Sequence, residues 1–190
     1  SGTTAIWNVV NNGTNPPIPP YAGSGQAKFN SFDAAPGHQS RLISPGLDLS
    51  TASDPFVSFF LYHDDEWLSS GDSVYLEVTA ADSVAGPWTT LAGYRRPRTN
   101  PGWSYEIVSL AQYVGVNRLF ISFRGVSQYG NNLYLDEVRL ADSAFHDIGS
   151  TTLLSPAGLP GVQSPSDSER SRKAQPPSFT GLALQEEPLV

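Results

Sequence analysis

The carboxylates of the chain are its most informative chemical groups. Asp136 lies in the strand-like run 132–140, where regular alternation places it on the same face as Val138 and Leu140, towards the core. A carboxylate in such a position needs a cation or several hydrogen-bond donors. Asp72 opens a second alternating run. Because Ca²⁺ takes carboxylate oxygens from loops and strand ends, these two residues are candidates for a structural calcium site.

An ion pair is the alternative to calcium at these two positions. Arg41 and Arg124 are the candidate partners, and capping of loop amides would serve as well. The run His63-Asp64-Asp65-Glu66 lacks the spacing of a calcium-binding loop and is typical of a solvated acidic loop. Arg95-Arg96-Pro97-Arg98 is the one basic cluster, and it favours a solvated loop over an anion site.

The residues that enzymes use are sparse in this chain. It has no Cys and three His, and Gly23-Ser24-Gly25 lacks the strand–turn–helix setting of a nucleophile elbow. Glu77 and Glu137 would serve as a glycosidase pair only with their carboxylates about 5–9.5 Å apart on one face. We therefore predict that the chain is not an enzyme and assign no catalytic residue.

Aromatic side chains raise the hypothesis of ligand binding. Trp67 stands in a polar run, so it is the ring with the strongest case for exposure, and Tyr94 and Trp103 are further candidates. Such rings stack on the apolar faces of sugars at a sheet face or rim. The alternative is that they fill the ends of a β-sheet core. Other rings open to both interpretations are Tyr75, Tyr105, Phe120 and Tyr134.

Short strand-like runs, separated by turn signals, must position these residues. Val74, Leu76 and Val78 share one face of such a run, and Leu119, Ile121 and Phe123 share one face of another. No segment of useful length has a helical period, apart from about one turn at 110–115. The pattern predicts an all-β, two-sheet antiparallel sandwich (a jelly roll) of eight strands. They lie near 27–32, 41–44, 56–62, 73–79, 89–94, 105–110, 118–124 and 132–140.

The composition changes along the chain and divides it at about residue 145. Residues 1–145 form the predicted domain, with an irregular, Pro-rich entry over the first 25 residues or so and a glycosylation sequon at Asn12. Residues 146–190 are a Ser/Pro-rich linker and extension with apolar islands at 148–154 and 179–190. One interpretation of those islands is an irregular tail that can donate a strand. The alternative is that 148–154 begins a second, truncated domain and that the tail is disordered.

Charge and composition exclude two classes of partner. The net charge is −7, from 11 basic and 18 acidic residues, which argues against nucleic-acid binding. No apolar run approaches the roughly 18 residues of a membrane helix, so no membrane insertion is expected. The absence of both Cys and Met suits exposure to an oxidising exterior.

The order of these motifs resembles the MAM-like jelly-roll modules of bacterial secreted and surface proteins, including adhesin-type domains. The similarity runs from Trp7 to about Leu140. It rests on Trp7 before a Pro-rich loop, Gly25-Gln26-Ala27-Lys28-Phe29, Arg41-Leu42-Ile43-Ser44-Pro45, 56–62, 71–78, Pro87-Trp88-Thr89-Thr90-Leu91, Trp103, Val108-Ser109-Leu110, 119–125 and 131–138.

The resemblance implies a non-catalytic extracellular or cell-surface module for adhesion or recognition. It also implies a structural Ca²⁺, with the acids of the family pattern falling on Asp72 and Asp136. The paired cysteines of animal members are absent, so their homophilic contact role does not transfer. Only Ser1 to Ile6 remain to form the edge strand that often precedes the first Trp.

Two functions follow as expectations. The first is interaction with protein partners, in its sharpest form self-assembly into a fibre by head-to-tail addition of the 146–190 tail to an open sheet edge. The second is a carbohydrate-binding module from a larger secreted hydrolase, with glycans as ligands.

Overall fold

The chain folds as a two-layer β-sandwich. The computed structural model describes residues 6–66, 70–96 and 100–143. Within these ranges nine strands form two antiparallel sheets, and the only helical element is a single 3₁₀ turn at Ala111–Tyr113. The predicted all-β sandwich is therefore confirmed. The predicted strand-donating tail at 146–190 lies outside the described residues.

One layer is a five-stranded sheet in the order β1-β2-β9-β4-β7. Its strands are β1 (Trp7–Val10), β2 (Gln26–Phe29), β4 (Pro55–His63), β7 (Gly102–Ser109) and β9 (Leu133–Asp142). The other layer is a four-stranded sheet in the order β3-β8-β5-β6. Its strands are β3 (Gln39–Ile43), β5 (Ser73–Thr79), β6 (Thr89–Arg95) and β8 (Phe120–Val126).

The core lies between the two sheets and follows from strand alternation. Val74, Leu76 and Val78 of β5 are buried against Phe59 and Leu61 of β4 in one apolar cluster. Full burial of one such side chain stabilises the fold by about 1.5–3 kcal/mol. The expectation that alternate residues of β5 and β8 share the inner face is thus confirmed.

The first strand was missed by the sequence analysis, which expected irregular structure over the first 25 residues or so. Trp7–Val10 pairs with β2 in antiparallel register, with Trp7 opposite Phe29. The two rings pack with centroids 5.4 Å apart, and both are buried. Four residues carry too little alternation to reveal a strand, and the backbone partners that stabilise it lie 16–22 positions away in the sequence.

The orientation of Asp136 corrects a second expectation. Leu135 packs in the core, and so do Val138 and Leu140, which implies that the side-chain alternation reverses between positions 135 and 138. Glu137 has a left-handed backbone with φ 51°, and the pairing of β9 with β4 shifts register at this point. This β-bulge places Asp136 on the outer face of the sheet, because a bulge re-aims the side chains around it.

In the part of the chain that the structure describes, no helix is long and apolar enough to cross a membrane.

Candidate functional site

Aromatic rings cover the outer face of the five-stranded sheet where β4 meets β7. The pairing of these strands places Phe60 opposite Tyr105 and Tyr62 opposite Trp103. The ring centroids of the first pair are 4.9 Å apart, and those of the second pair are 5.5 Å apart. Directly opposite side chains on one sheet face are neighbours, so the register alone brings these four rings together.

The loop between β1 and β2 adds a fifth ring. Tyr21 stacks on Phe60 with centroids 3.5 Å apart and planes 16° apart, and it meets Trp103 edge-on at 6.0 Å. The sequence analysis missed Tyr21, because it lies in a Pro-rich segment with no periodic signal. Only the folding of that loop over the sheet shows its place.

Tyr134 holds this loop against the sheet. Its buried hydroxyl donates to the Thr14 carbonyl and accepts from the Thr14 amide at 2.8 Å. Burial raises the pKa of this hydroxyl above its usual range, which keeps it a neutral donor. The Asn132 side chain adds a hydrogen bond of 2.7 Å to the same carbonyl. The loop that carries Tyr21 is therefore tied to β9 by side-chain hydrogen bonds.

We call this surface the aromatic face and define it as Tyr21, Phe60, Tyr62, Trp103, Tyr105 and Ile107. Tyr21 is 47% exposed, Tyr105 54% and Ile107 58%, whereas Phe60, Tyr62 and Trp103 are half-buried beneath or beside them. Asp136 adds a carboxylate next to Phe60 through the pairing of β4 with β9. Rings with one free face are suited to stack on a sugar.

The three predicted ligand-binding rings have different positions. Trp103 is part of the aromatic face. Tyr94 is instead 7% exposed and packs edge-on against Phe59 in the core, so the structure gives it the packing role. Its strand, β6, turns this ring inward. Trp67 lies outside the described residues.

Asp72 lies at the centre of a buried polar network at one end of the sandwich. One of its oxygens accepts from Arg96 Nη2 at 2.6 Å and from Ser70 Oγ at 3.3 Å. The other accepts from Ser31 Oγ and from the Gln128 amide at 2.6 Å. The network joins the loops that follow β2, β4, β6 and β8.

Arg96 and Asp64 correct the expectation of two solvated loops. Arg96 is 0% exposed and forms ion pairs with both Asp72 and Asp64, and Asp64 is buried as well. A fully buried guanidinium needs nearby carboxylates to compensate for its lost hydration. Asp64 of the acidic run and Arg96 of the basic run are therefore partners at the end of the fold, whereas Asp65 and Glu66 are exposed.

Ionisation of Asp72 is favoured by this environment. Burial alone would raise the pKa of its carboxyl, but hydrogen bonds from Ser31 and the Gln128 amide, together with Arg96, hold that pKa below its ordinary value. The carboxylate is thus the form that the fold stabilises.

The neighbourhood of Asp72 fits a cationic side chain better than a calcium ion, because Arg96 already supplies the compensating charge. Asp136 accepts from the Ala22 amide at 3.1 Å and from the Glu137 amide at 2.8 Å, on the other sheet. Within the described residues, no group of three or more His, Asp or Glu has the arrangement of a metal site. Calcium binding through Asp72 and Asp136 stays a prediction.

Asn12, the predicted glycosylation site, lies on the surface. Its side chain is exposed in the loop between β1 and β2. Glycosylation at this position stays a prediction.

Solved structures of low sequence identity share this architecture. The K1 cleaved adhesin domain of Lys-gingipain from Porphyromonas gingivalis W83 is 19% identical with a TM-score of 0.53, covering 75% of this chain and 94% of that chain. The K2 cleaved adhesin domain of Lys-gingipain is 17% identical with a TM-score of 0.50, covering 74% and 93%. TmCBM61, solved in complex with β-1,4-galactotriose, is 17% identical with a TM-score of 0.48, covering 75% and 86%.

No family model and no curated protein matches the chain. The two adhesin domains share the β-sandwich fold of this chain.

Proposed function

We propose that this chain is a non-catalytic extracellular binding module that recognises carbohydrate through the aromatic face. The observation that carries the proposal is the group of half-exposed rings, Tyr21 and Tyr105, on either side of Phe60. Exposed rings on a rigid sheet stack on a sugar with little loss of side-chain entropy. The fold shared with adhesin domains supports a module of secreted, bacterial type that acts at the cell surface.

The positions of the two candidate glycosidase carboxylates support the absence of catalysis. Glu77 lies on the four-stranded sheet, where it binds Arg41 and Arg124. Glu137 lies on the five-stranded sheet beside Arg139. A glycosidase needs both carboxylates on one face around the scissile bond. His63, the histidine at the start of the acidic run, is 1% exposed and so is closed off from a substrate.

Replacing Tyr105 with alanine is expected to weaken glycan binding about tenfold, because one stacking ring contributes on the order of 1.4 kcal/mol. Affinity electrophoresis in gels containing xylan, galactan or mixed-linkage glucan measures the change as lost retardation. Tyr105 is exposed and its ring lies outside the core, so the fold should be unchanged in thermal unfolding.

Tyr129→Ala is the matched control. Tyr129 is 65% exposed in the loop between β8 and β9 and does not belong to the aromatic face. Its removal should leave retardation unchanged. Equal retardation of wild type and Tyr105→Ala, or no retardation of wild type in any gel, would contradict the proposal.

A second function, self-assembly, is supported by the edge strand β7. Among the described residues it is the last strand of its sheet, and it spans eight residues and carries the exposed side chains of Tyr105 and Ile107. The unpaired backbone groups along one side of a long edge strand are a template for strand addition. We propose that the 146–190 tail of one copy adds to β7 of the next, which would build an open chain of subunits.

Removal of the tail is expected to abolish assembly. Sedimentation and negative-stain microscopy of residues 1–190 and 1–145 should show fibres or large species from the longer form alone. Binding in the affinity gels should survive the truncation, because the aromatic face lies within the described domain. Monomers from both forms would exclude tail-driven assembly.

A further inference from the structure

The outer face of the four-stranded sheet carries two arginines directly opposite each other. Arg41 of β3 pairs with Arg124 of β8 in the strand register. Like charges in this relation repel and destabilise a sheet unless an anion lies between them. A negative charge beside Arg41 and Arg124 is therefore needed to offset their repulsion.

Glu77 supplies only part of that charge. Its carboxylate accepts from Arg41 Nε at 2.9 Å and from Arg124 Nε at 2.8 Å, and its side chain is 4% exposed. One carboxylate between two guanidinium groups leaves one positive charge uncompensated. The arginine side chains are 14% and 20% exposed, so this charge lies at the surface but is partly shielded from water. Partial burial strengthens the attraction for an anion.

Aromatic rings fix the orientation of both guanidinium groups. Arg41 lies over Trp88 at 5.3 Å and Arg124 over Tyr75 at 4.5 Å, measured to the ring centroids. Cation–π contacts of this kind hold the planar group in place and lower the entropy lost when it binds.

Terminal donors are still available on this cluster. Both arginines use Nε for Glu77, and among the described residues the terminal nitrogens donate one hydrogen bond, from Arg124 Nη1 to Gln39 at 3.0 Å. Guanidinium Nη groups match the two oxygens of a carboxylate. The cluster thus combines surplus charge, fixed orientation and free donors.

We propose that Arg41 and Arg124 form a second ligand site, which binds the carboxylate of an isolated uronic acid on an otherwise neutral glycan. The single surplus charge fits one carboxylate, and the net charge of −7 disfavours a densely charged polyanion. The glycan as ligand class rests on the proposed function, whereas the anion site rests on the cluster's own geometry.

The test compares two short sugars on the full chain. Calorimetric titration uses xylotriose bearing one glucuronic acid and, separately, neutral xylotetraose. We expect the wild type to bind the acidic sugar about tenfold more tightly. In NMR spectra, only the acidic sugar should shift the Nε–Hε resonances of Arg41 and Arg124. Equal affinities without those shifts would overturn the proposal.

Arg41→Gln should reduce the preference for the acidic sugar to about twofold. Arg41→Lys keeps the charge but loses the planar guanidinium, so its preference should lie between those of Arg41→Gln and the wild type. Glu77 retains its ion pair with Arg124 in both variants, so the sheet should persist. Arg118→Gln is the control, because Arg118 also lies over a ring, Phe120, but belongs to no such cluster. An unchanged preference in Arg41→Gln would overturn the proposal.

The two proposals fail separately. If the wild-type chain bound no neutral glycan, the proposed function of the aromatic face would be contradicted. Arg Nε–Hε shifts with the acidic sugar would still support the anion site in that case.

Discussion

Asp72→Ala is expected to lower the free energy of unfolding by about 3–5 kcal/mol, a large part of the stability of a domain of this size. The reason is that Arg96, which is fully buried, would keep Asp64 alone as its carboxylate partner among the described residues. The hydroxyl of Ser31 and the amide of Gln128 would lose their acceptor as well. Urea unfolding followed by tryptophan fluorescence measures the loss.

Asp82→Ala provides the control for this prediction. Asp82 is an exposed carboxylate in the loop between β5 and β6. Its removal should change the stability by less than about 0.5 kcal/mol. A loss below about 1 kcal/mol for Asp72→Ala would show that the network contributes little and that the ion pair is not what stabilises this end of the sandwich.

The acid dependence of stability gives a second readout on Asp72. Its pKa is lowered in the folded state, so its contribution is present above the unfolded-state pKa of about 3.9 and is lost as the pH falls through the lower folded value. The difference in stability between wild type and Asp72→Asn should therefore be full near neutral pH and narrow as the pH falls below about 4. A stability difference between wild type and Asp72→Asn that stays constant as the pH falls would contradict the lowered pKa of Asp72.

The same unfolding experiment tests calcium. An ion pair between Asp72 and Arg96 predicts equal stability in excess CaCl₂ and in EDTA. Stabilisation by calcium that disappears in Asp72→Asn or Asp136→Asn would instead support the calcium site predicted from the sequence, since a ligand that binds only the folded state raises its stability.

Gly125→Ala is expected to cost about 1–3 kcal/mol, because the two sheets approach closely at this residue. A Cβ at Gly125 of β8 would lie within 2.6 Å of ring carbons of Phe29 on the opposite sheet, closer than real Cβ contacts allow. Phe29 is itself buried and packs against Trp7, so the ring has little freedom to move away. Thermal unfolding of the variant measures the cost.

Two further variants make this prediction specific. Gly46→Ala is the control, because a Cβ there would meet Phe120 at an ordinary 3.5 Å. In the double variant Gly125→Ala/Phe29→Leu the smaller side chain makes room for the methyl group. The combined loss should therefore be smaller than the sum of the single losses, as expected for residues in contact. Additive losses would indicate that no clash exists.

The sequence by itself determined the fold class and most of the strands. Alternation at Val74, Leu76 and Val78 indicates a strand with one buried face whatever its partners are, because the period of two is a property of the extended backbone. The absence of helical periodicity excluded crossover helices, and with them a parallel sheet. The prediction of Trp103 as a ligand-binding residue also followed from residue type alone.

Tertiary structure decided the sites. Arg96 is buried with Asp64 and Asp72, which lie 32 and 24 residues away in the loop between β4 and β5, and no local pattern encodes that pairing. The bulge at Glu137 turns Asp136 outward, and Tyr21 reaches Phe60 only when its loop folds over the sheet. Alternation in the sequence separates the apolar face of a strand from its polar face. Long-range strand pairing and local bulges determine which residues each face contacts.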